Sequence, residues 1–145
     1  MRRFWPLILP VILFVMAAGM GGAEAQEKND VPANVIEQKL TLVEATVCEK
    51  MKRSTPFNKA IVFSSGLEKV YCYTSFDPVP REMVIYHEWY RRDKLKAKVR
   101  LTLKPPRWST FSSMRIRKSD QGPWRVNITD PEGKILRIVR FSITE

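Results

Sequence analysis

The sequence holds one histidine and two cysteines, too few to close a structural metal shell that needs four such ligands. It contains no Gly-x-Ser-x-Gly elbow and no metal-ligand spacing, so neither chemistry has a sequence anchor and no cofactor is expected. Acidic residues are scarce: 15 Asp and Glu stand against 25 Lys and Arg, for a formal charge of +10. A helical run of useful length and an internal repeat are both missing, which argues against helical bundles and βαβ folds. What is present is core material. Four Trp, seven Phe and four Tyr accompany a 28% charged fraction, close to the globular average of about 25%, and this excludes wholesale disorder. At 145 residues the chain has room for one domain.

Arg2 and Arg3 precede an apolar stretch from Phe4 to Met20, and Ala23-Glu24-Ala25 follows with small residues at alternate positions. This is the three-part layout of a secretory signal. The alternative is an uncleaved anchor, because the stretch lies at the lower edge of the ~17–25 residues that span a bilayer. The predicted organisation is a signal peptide over 1–25, a flexible leader over 26–39 and one domain over 40–145. Cleavage removes Arg2, Arg3 and Glu24 and leaves 23 basic against 14 acidic residues, a charge of +9. The basicity thus belongs to the domain. The expected location is periplasmic, with membrane contact only through an uncleaved signal segment.

In an oxidising compartment Cys48 and Cys72 are expected to form a disulfide. Such a bridge would stabilise the fold by roughly 3 kcal/mol in the chain-entropy model. The competing reading makes one of them a nucleophile with His87 as its base.

The domain reads as strands. Val43, Ala45 and Val47 alternate with polar neighbours; Ala60–Phe63 and Val70–Phe76 are candidates joined by a hairpin-like Ser64-Ser65-Gly66; Met83–Tyr90 is rich in β-formers. In 96–104, Ala97, Val99, Leu101 and Leu103 face one way and the basic residues the other. Pro105-Pro106 ends that strand, and a short strand over about 110–116 follows. Asp130-Pro131-Glu132-Gly133 suits a type I turn between strands beginning at Trp124 and Ile135, with a bulge or edge expected near Arg137. The resulting expectation is an all-β, immunoglobulin-like β-sandwich of about 7–8 strands.

Eleven basic residues lie between Arg91 and Lys118, opposed only by Asp93. Lys94, Lys96, Lys98 and Arg100 are expected to project in one row, spaced by roughly 6.6 Å, as a ladder for a repeating anion. The plain alternative is a solvated sheet face that blocks edge-to-edge aggregation. His87 shares a face with Ile85 and Trp89, while Glu88 points the opposite way, so the adjacent pair cannot act together within one strand. His87 is read as structural, hydrogen-bonded to a neighbouring strand. In the functional reading His87 and Trp89 or Trp108 line a groove for a sugar or other flat ligand. Trp124 is read as core.

His87-Glu88-Trp89-Tyr90, then Trp108-Ser109-Thr110-Phe111-Ser112-Ser113, then Gly122-Pro123-Trp124-Arg125-Val126 with Asp130-Pro131-Glu132-Gly133 and Phe141, together resemble a bacterial exported domain-of-unknown-function family, numbered 2914. The resemblance spans about Leu40 to Ile143. It implies an exported or membrane-attached module with cysteines at the positions of Cys48 and Cys72, and it brings no catalytic residues with it. The expected function is therefore non-catalytic: a periplasmic module contacting an anionic cell-envelope polymer or glycan, and not nucleic acid. The alternatives are a protein-interaction module of an envelope complex that docks through a sheet edge and, more remotely, a small hydrolase centred on His87.

Overall fold

The computed structural model describes residues 37–145; the signal segment 1–25 and leader residues 26–36 lie outside the described residues. The strands are β1 (Leu42–Lys52), β2 (Thr55–Lys59), β3 (Val62–Ser64), β4 (Lys69–Phe76), β5 (Met83–Arg91), β6 (Lys94–Leu103), β7 (Trp108–Arg115), β8 (Gly122–Thr129) and β9 (Ile135–Thr144), with one 3-10 turn at Lys118–Asp120. A four-stranded sheet runs β2-β1-β4-β7 and a five-stranded sheet β3-β9-β8-β5-β6. Pairing is antiparallel except where β3 lies parallel to β9.

The fold is all-β and forms a sandwich, as the alternation implied. Nine strands replace the seven or eight expected because β2, of 5 residues, shows no alternation, whereas β3, of 3 residues, overlaps the expected Ala60–Phe63 segment. Ser64-Ser65-Gly66 is not a hairpin. β3 belongs to the five-stranded sheet, whereas β4 sits between β1 and β7, so the chain changes sheets at that connection.

Three bulges adjust the faces, two of them in β1 and β9. In β1 the register shifts between Leu42 and Glu44, which makes Val43 the extra residue and leaves it 59% exposed. Leu42, Ala45 and Val47 then pack inward together. At the C-terminal hairpin, Asp130 Oδ1 accepts from the N–H groups of Glu132 and Lys134, at 3.0 and 2.8 Å. Gly133, at φ +86°, takes the left-handed position that follows a type I turn. Ile128 pairs with Arg137 but Thr129 with Ile135, so Leu136 is the extra residue, one position before the expected Arg137.

Two apolar clusters fill the space between the sheets. In the first, Phe141 meets Phe63 and Trp89 edge-on, at 5.9 and 6.1 Å between centroids, and stacks on Trp124 at 6.0 Å. The expected core role of Trp124 holds. The second cluster comprises Phe76, Val79, Ile85, Leu103 and Ile128.

Candidate functional site

His87 and Trp89 do not line a groove, because both are fully buried. The two-residue period of β5 turns Ile85, His87 and Trp89 inward, which places His87 between the residues that belong to the two apolar clusters. Its partners come from the opposite sheet. Trp89 Nε1–H donates to Ser112 Oγ (3.0 Å), which leaves the Ser112 proton for His87 Nδ1 (2.7 Å); His87 Nε2–H then donates to Thr74 Oγ1 (3.1 Å). This neutral tautomer satisfies both ring nitrogens. Burial lowers the pKa of His87 from 6.5 to about 4, because a charged imidazole between the sheets would lose its hydration. The histidine is a polar tie between β4, β5 and β7.

The disulfide expectation is corrected: Cys48 and Cys72 are both free and buried. Cys72 lies opposite Val47 and joins the core, while Cys48 lies opposite Tyr71, one residue out of step. Successive side chains alternate faces, so the two thiols point to opposite sides of the sheet. Burial raises the pKa of each, which disfavours the thiolate and hence nucleophilic chemistry. A thiol reagent should accordingly find two thiols in denaturant and react with neither promptly in the native protein. A disulfide detected by mass in native material would contradict this register.

The basic ladder is also corrected. β6 is an edge strand, and its register against β5 shifts so that Trp89 pairs with Ala97 but Tyr90 with Leu95; Lys96 occupies the bulge. The row of four is broken there. Lys98 and Arg100 stand opposite Glu88 and Tyr86, whereas Lys96 lines a rim concavity with Arg115 and Arg117, and Lys94 lies opposite Arg91. Trp108 is elsewhere again, 38% exposed at the start of β7, the edge of the other sheet, with Lys104 Nζ 5.8 Å from its ring centroid.

What the register does assemble is the outer face of the five-stranded sheet. Tyr86, Glu88 and Tyr90 alternate with the buried residues of β5, and their cross-strand partners are Thr129, Asn127 and Arg125 on β8. Arg140 and Ile138 on β9 continue the rows opposite Arg125 and Asn127. Glu88 is the only carboxylate among these residues and is already engaged. It accepts from Tyr90 OH (3.0 Å) and Thr129 Oγ1 (3.3 Å) and pairs with Lys98 (3.5 Å). The bond to Glu88 raises the Tyr90 pKa and keeps its phenol a donor. Lys98 Nζ lies 4.5 Å over Tyr86 and the Arg125 guanidinium 4.3 Å over Tyr90, contacts that fix the cations beside aromatic rings. Asn127 Oδ1 is buried without a donor among the described residues.

The β5–β6 turn sits at one corner of this face. Arg92 and Asp93 both have positive φ, +45° and +65°, a conformation that two-residue turns usually give to Asn or Gly and that costs about 1 kcal/mol or more per residue otherwise. Arg92 packs over Gly122, where a Cβ would come within 2.9 Å of its Nε and where φ is +115°. Asp93 pairs with Arg125. Sequence reasoning missed Tyr86, Tyr90, Arg92, Arg125 and Arg140. For the tyrosines the signal was present, since the same alternation that faces Trp89 inward faces them outward.

Among the described residues no group of three or more His, Cys, Asp or Glu side chains is placed to hold a metal ion, and no helix is long and apolar enough to cross a membrane. Residues 82–143 match a family described as "Protein of unknown function (DUF2914)". The match takes in β5 to β8 and nearly all of β9, with every outer-face residue named above, and is shorter than the span over which the motifs show resemblance. No curated protein matches the sequence. Among solved structures, a β-glucosidase from Listeria innocua in complex with glucose is similar at 9% identity and a TM-score of 0.45, over 74% of this chain and 16% of that one.

Proposed function

We propose, for a chain whose residues 82–143 match the DUF2914 family of unknown function, a non-catalytic binding role in the periplasm, with an anionic envelope polymer or glycan as the ligand. One observation carries this reading: Lys98, Arg100, Arg125 and Arg140 share a sheet face with Tyr86 and Tyr90 and outnumber its carboxylates, Glu88, which pairs with Lys98, and Asp93 at the corner, which pairs with Arg125. A flat array of cations and rings suits a polymer with repeating charge and sugar faces. Neither His87 nor the cysteines offer exposed chemistry, which supports binding over turnover.

Full-length protein should be held on carboxymethyl- and phospho-cellulose and released by salt, since exposed charge contacts are screened over roughly 8–10 Å at physiological ionic strength. The double variant K98Q/R100E should bind several-fold more weakly with an unchanged thermal melt. Equal retention of variant and wild type would remove the proposal. Cell fractionation tests the location, with a periplasmic product beginning at Gln26 as the expected result.

Docking through a sheet edge remains the alternative occupant of the same module. The β6 edge argues against it, because Lys94, Lys96 and Lys98 together with a bulge are features that discourage strand addition.

A further inference from the structure

The β5–β6 turn, β8 and β9 meet at a concavity of about 170 Å³ whose lining includes Tyr90, Arg92, Asp93, Arg125 and Arg140. Three guanidinium groups face one carboxylate there, an excess of two positive charges. Arg125 and Arg140 lie directly opposite each other across β8 and β9, an arrangement of like charges that disfavours the folded sheet unless an anion joins them. Asp93 pairs with Arg125, but Arg92 and Arg140 have no ion-pair partner among the described residues. Arg92 is also held in place by a turn that is strained for its residue type and by the missing Cβ of Gly122. Strain kept at a surface turn and two unpaired guanidiniums aimed at one small hollow are independent observations that converge on a ligand. Guanidinium forks match tetrahedral oxyanions through paired hydrogen bonds.

We propose that this corner is a binding site for a dianionic phosphomonoester, with Arg92, Arg125 and Arg140 as its ligand-holding residues. The excess of two charges fits the dianion, and the volume admits the phosphate while the group that carries it stays outside. The proposal rests on the polymer-binding reading and specifies the charged group at one point of the face.

The test is a titration of the full-length protein with glucose 6-phosphate and, separately, with glucuronate, followed by arginine side-chain NMR signals and calorimetry. Glucose 6-phosphate is expected to bind and to shift the three arginine signals, with glucuronate at least tenfold weaker. R92G removes the guanidinium while relieving the left-handed turn, so its melting temperature should hold within a few degrees as affinity falls tenfold or more. R140Q should weaken binding similarly. Equal affinity for the two ligands, or R92G and R140Q binding as wild type does, would overturn the site. Vesicles containing phosphatidic acid distinguish a lipid source: capture that glucose 6-phosphate competes away supports the same site, and capture that it does not displace counts against it. Salt-sensitive retention on carboxymethyl-cellulose without glucose 6-phosphate binding would end this proposal and leave the polymer reading standing; loss of both would end both.

Discussion

Replacing Trp89 with alanine is expected to lower stability by about 3–5 kcal/mol, the range for truncating a fully buried large aromatic. Trp89 is completely inaccessible, packs edge-on against Phe141 and donates its indole N–H to Ser112. Its loss opens a cavity between the sheets and removes one of the ties across them. For a domain of this size each kcal/mol corresponds to about 4–6 °C in Tm, so the variant should melt at least 12 °C lower. W89F retains most of the packing and loses the hydrogen bond and part of the ring volume, for about 2 kcal/mol. Urea midpoints with unchanged m-values provide the measurement. If Trp89 stacked on a ligand instead, W89F would alter retention on anionic cellulose while W89A left the urea midpoint near that of wild type; that result would refute the buried placement.

The second large effect is a loss of stability in mild acid, and it belongs to His87. The unfolded imidazole takes up a proton near 6.5, whereas burial delays this to about 4 in the native protein. Between those values the unfolded chain binds more protons than the folded one, so stability is fully present above 6.5 and declines as pH falls toward 4. The expected loss is about 2 kcal/mol between pH 7.5 and 5, and about 3 kcal/mol by pH 4. His87 is the sole histidine, so other side chains contribute little to the slope between pH 7 and 5.5. H87Q retains a donor and an acceptor for Thr74 and Ser112 but cannot titrate. It should be less stable at neutral pH and nearly flat across this window. A wild-type midpoint that stays constant from pH 7.5 to 5 would mean that the imidazole is not held neutral between the sheets.

Most of the strand pattern, the C-terminal turn and the shared face of His87 and Trp89 were legible in local alternation; that this face is core and not a groove was not. In β5 burial alternates strictly from Ile85 to Tyr90, and the sequence reading used that period for His87 and Glu88 without following it to Tyr86 and Tyr90. The site was not legible, and β9 shows why. Continuing the pairing of Thr129 with Ile135 would set Arg125 opposite Val139; the extra residue at Leu136 sets it opposite Arg140 instead. Arg137, breaking the apolar row, points to a bulge to within one position, but not to which residue is the extra one, and that single step decides whether Val139 or Arg140 faces Arg125. Likewise a regular β6 would have kept Lys94, Lys96, Lys98 and Arg100 in one row, and the bulge at Lys96 divides them.

The sequence by itself determined that the described domain is an all-β sandwich with a basic surface and its one histidine on the same strand face as Ile85 and Trp89, because these follow from composition and from a period of two. Only the tertiary structure decided which residues stand together. It separated the two cysteines onto opposite sides of one sheet, tied His87 to Thr74 and Ser112 across the core, and brought Arg92, Arg125 and Arg140 to one corner. The physical reason is register. A slip of one residue reverses every side chain beyond it, and alternation within one strand does not say which residue of its neighbour stands opposite.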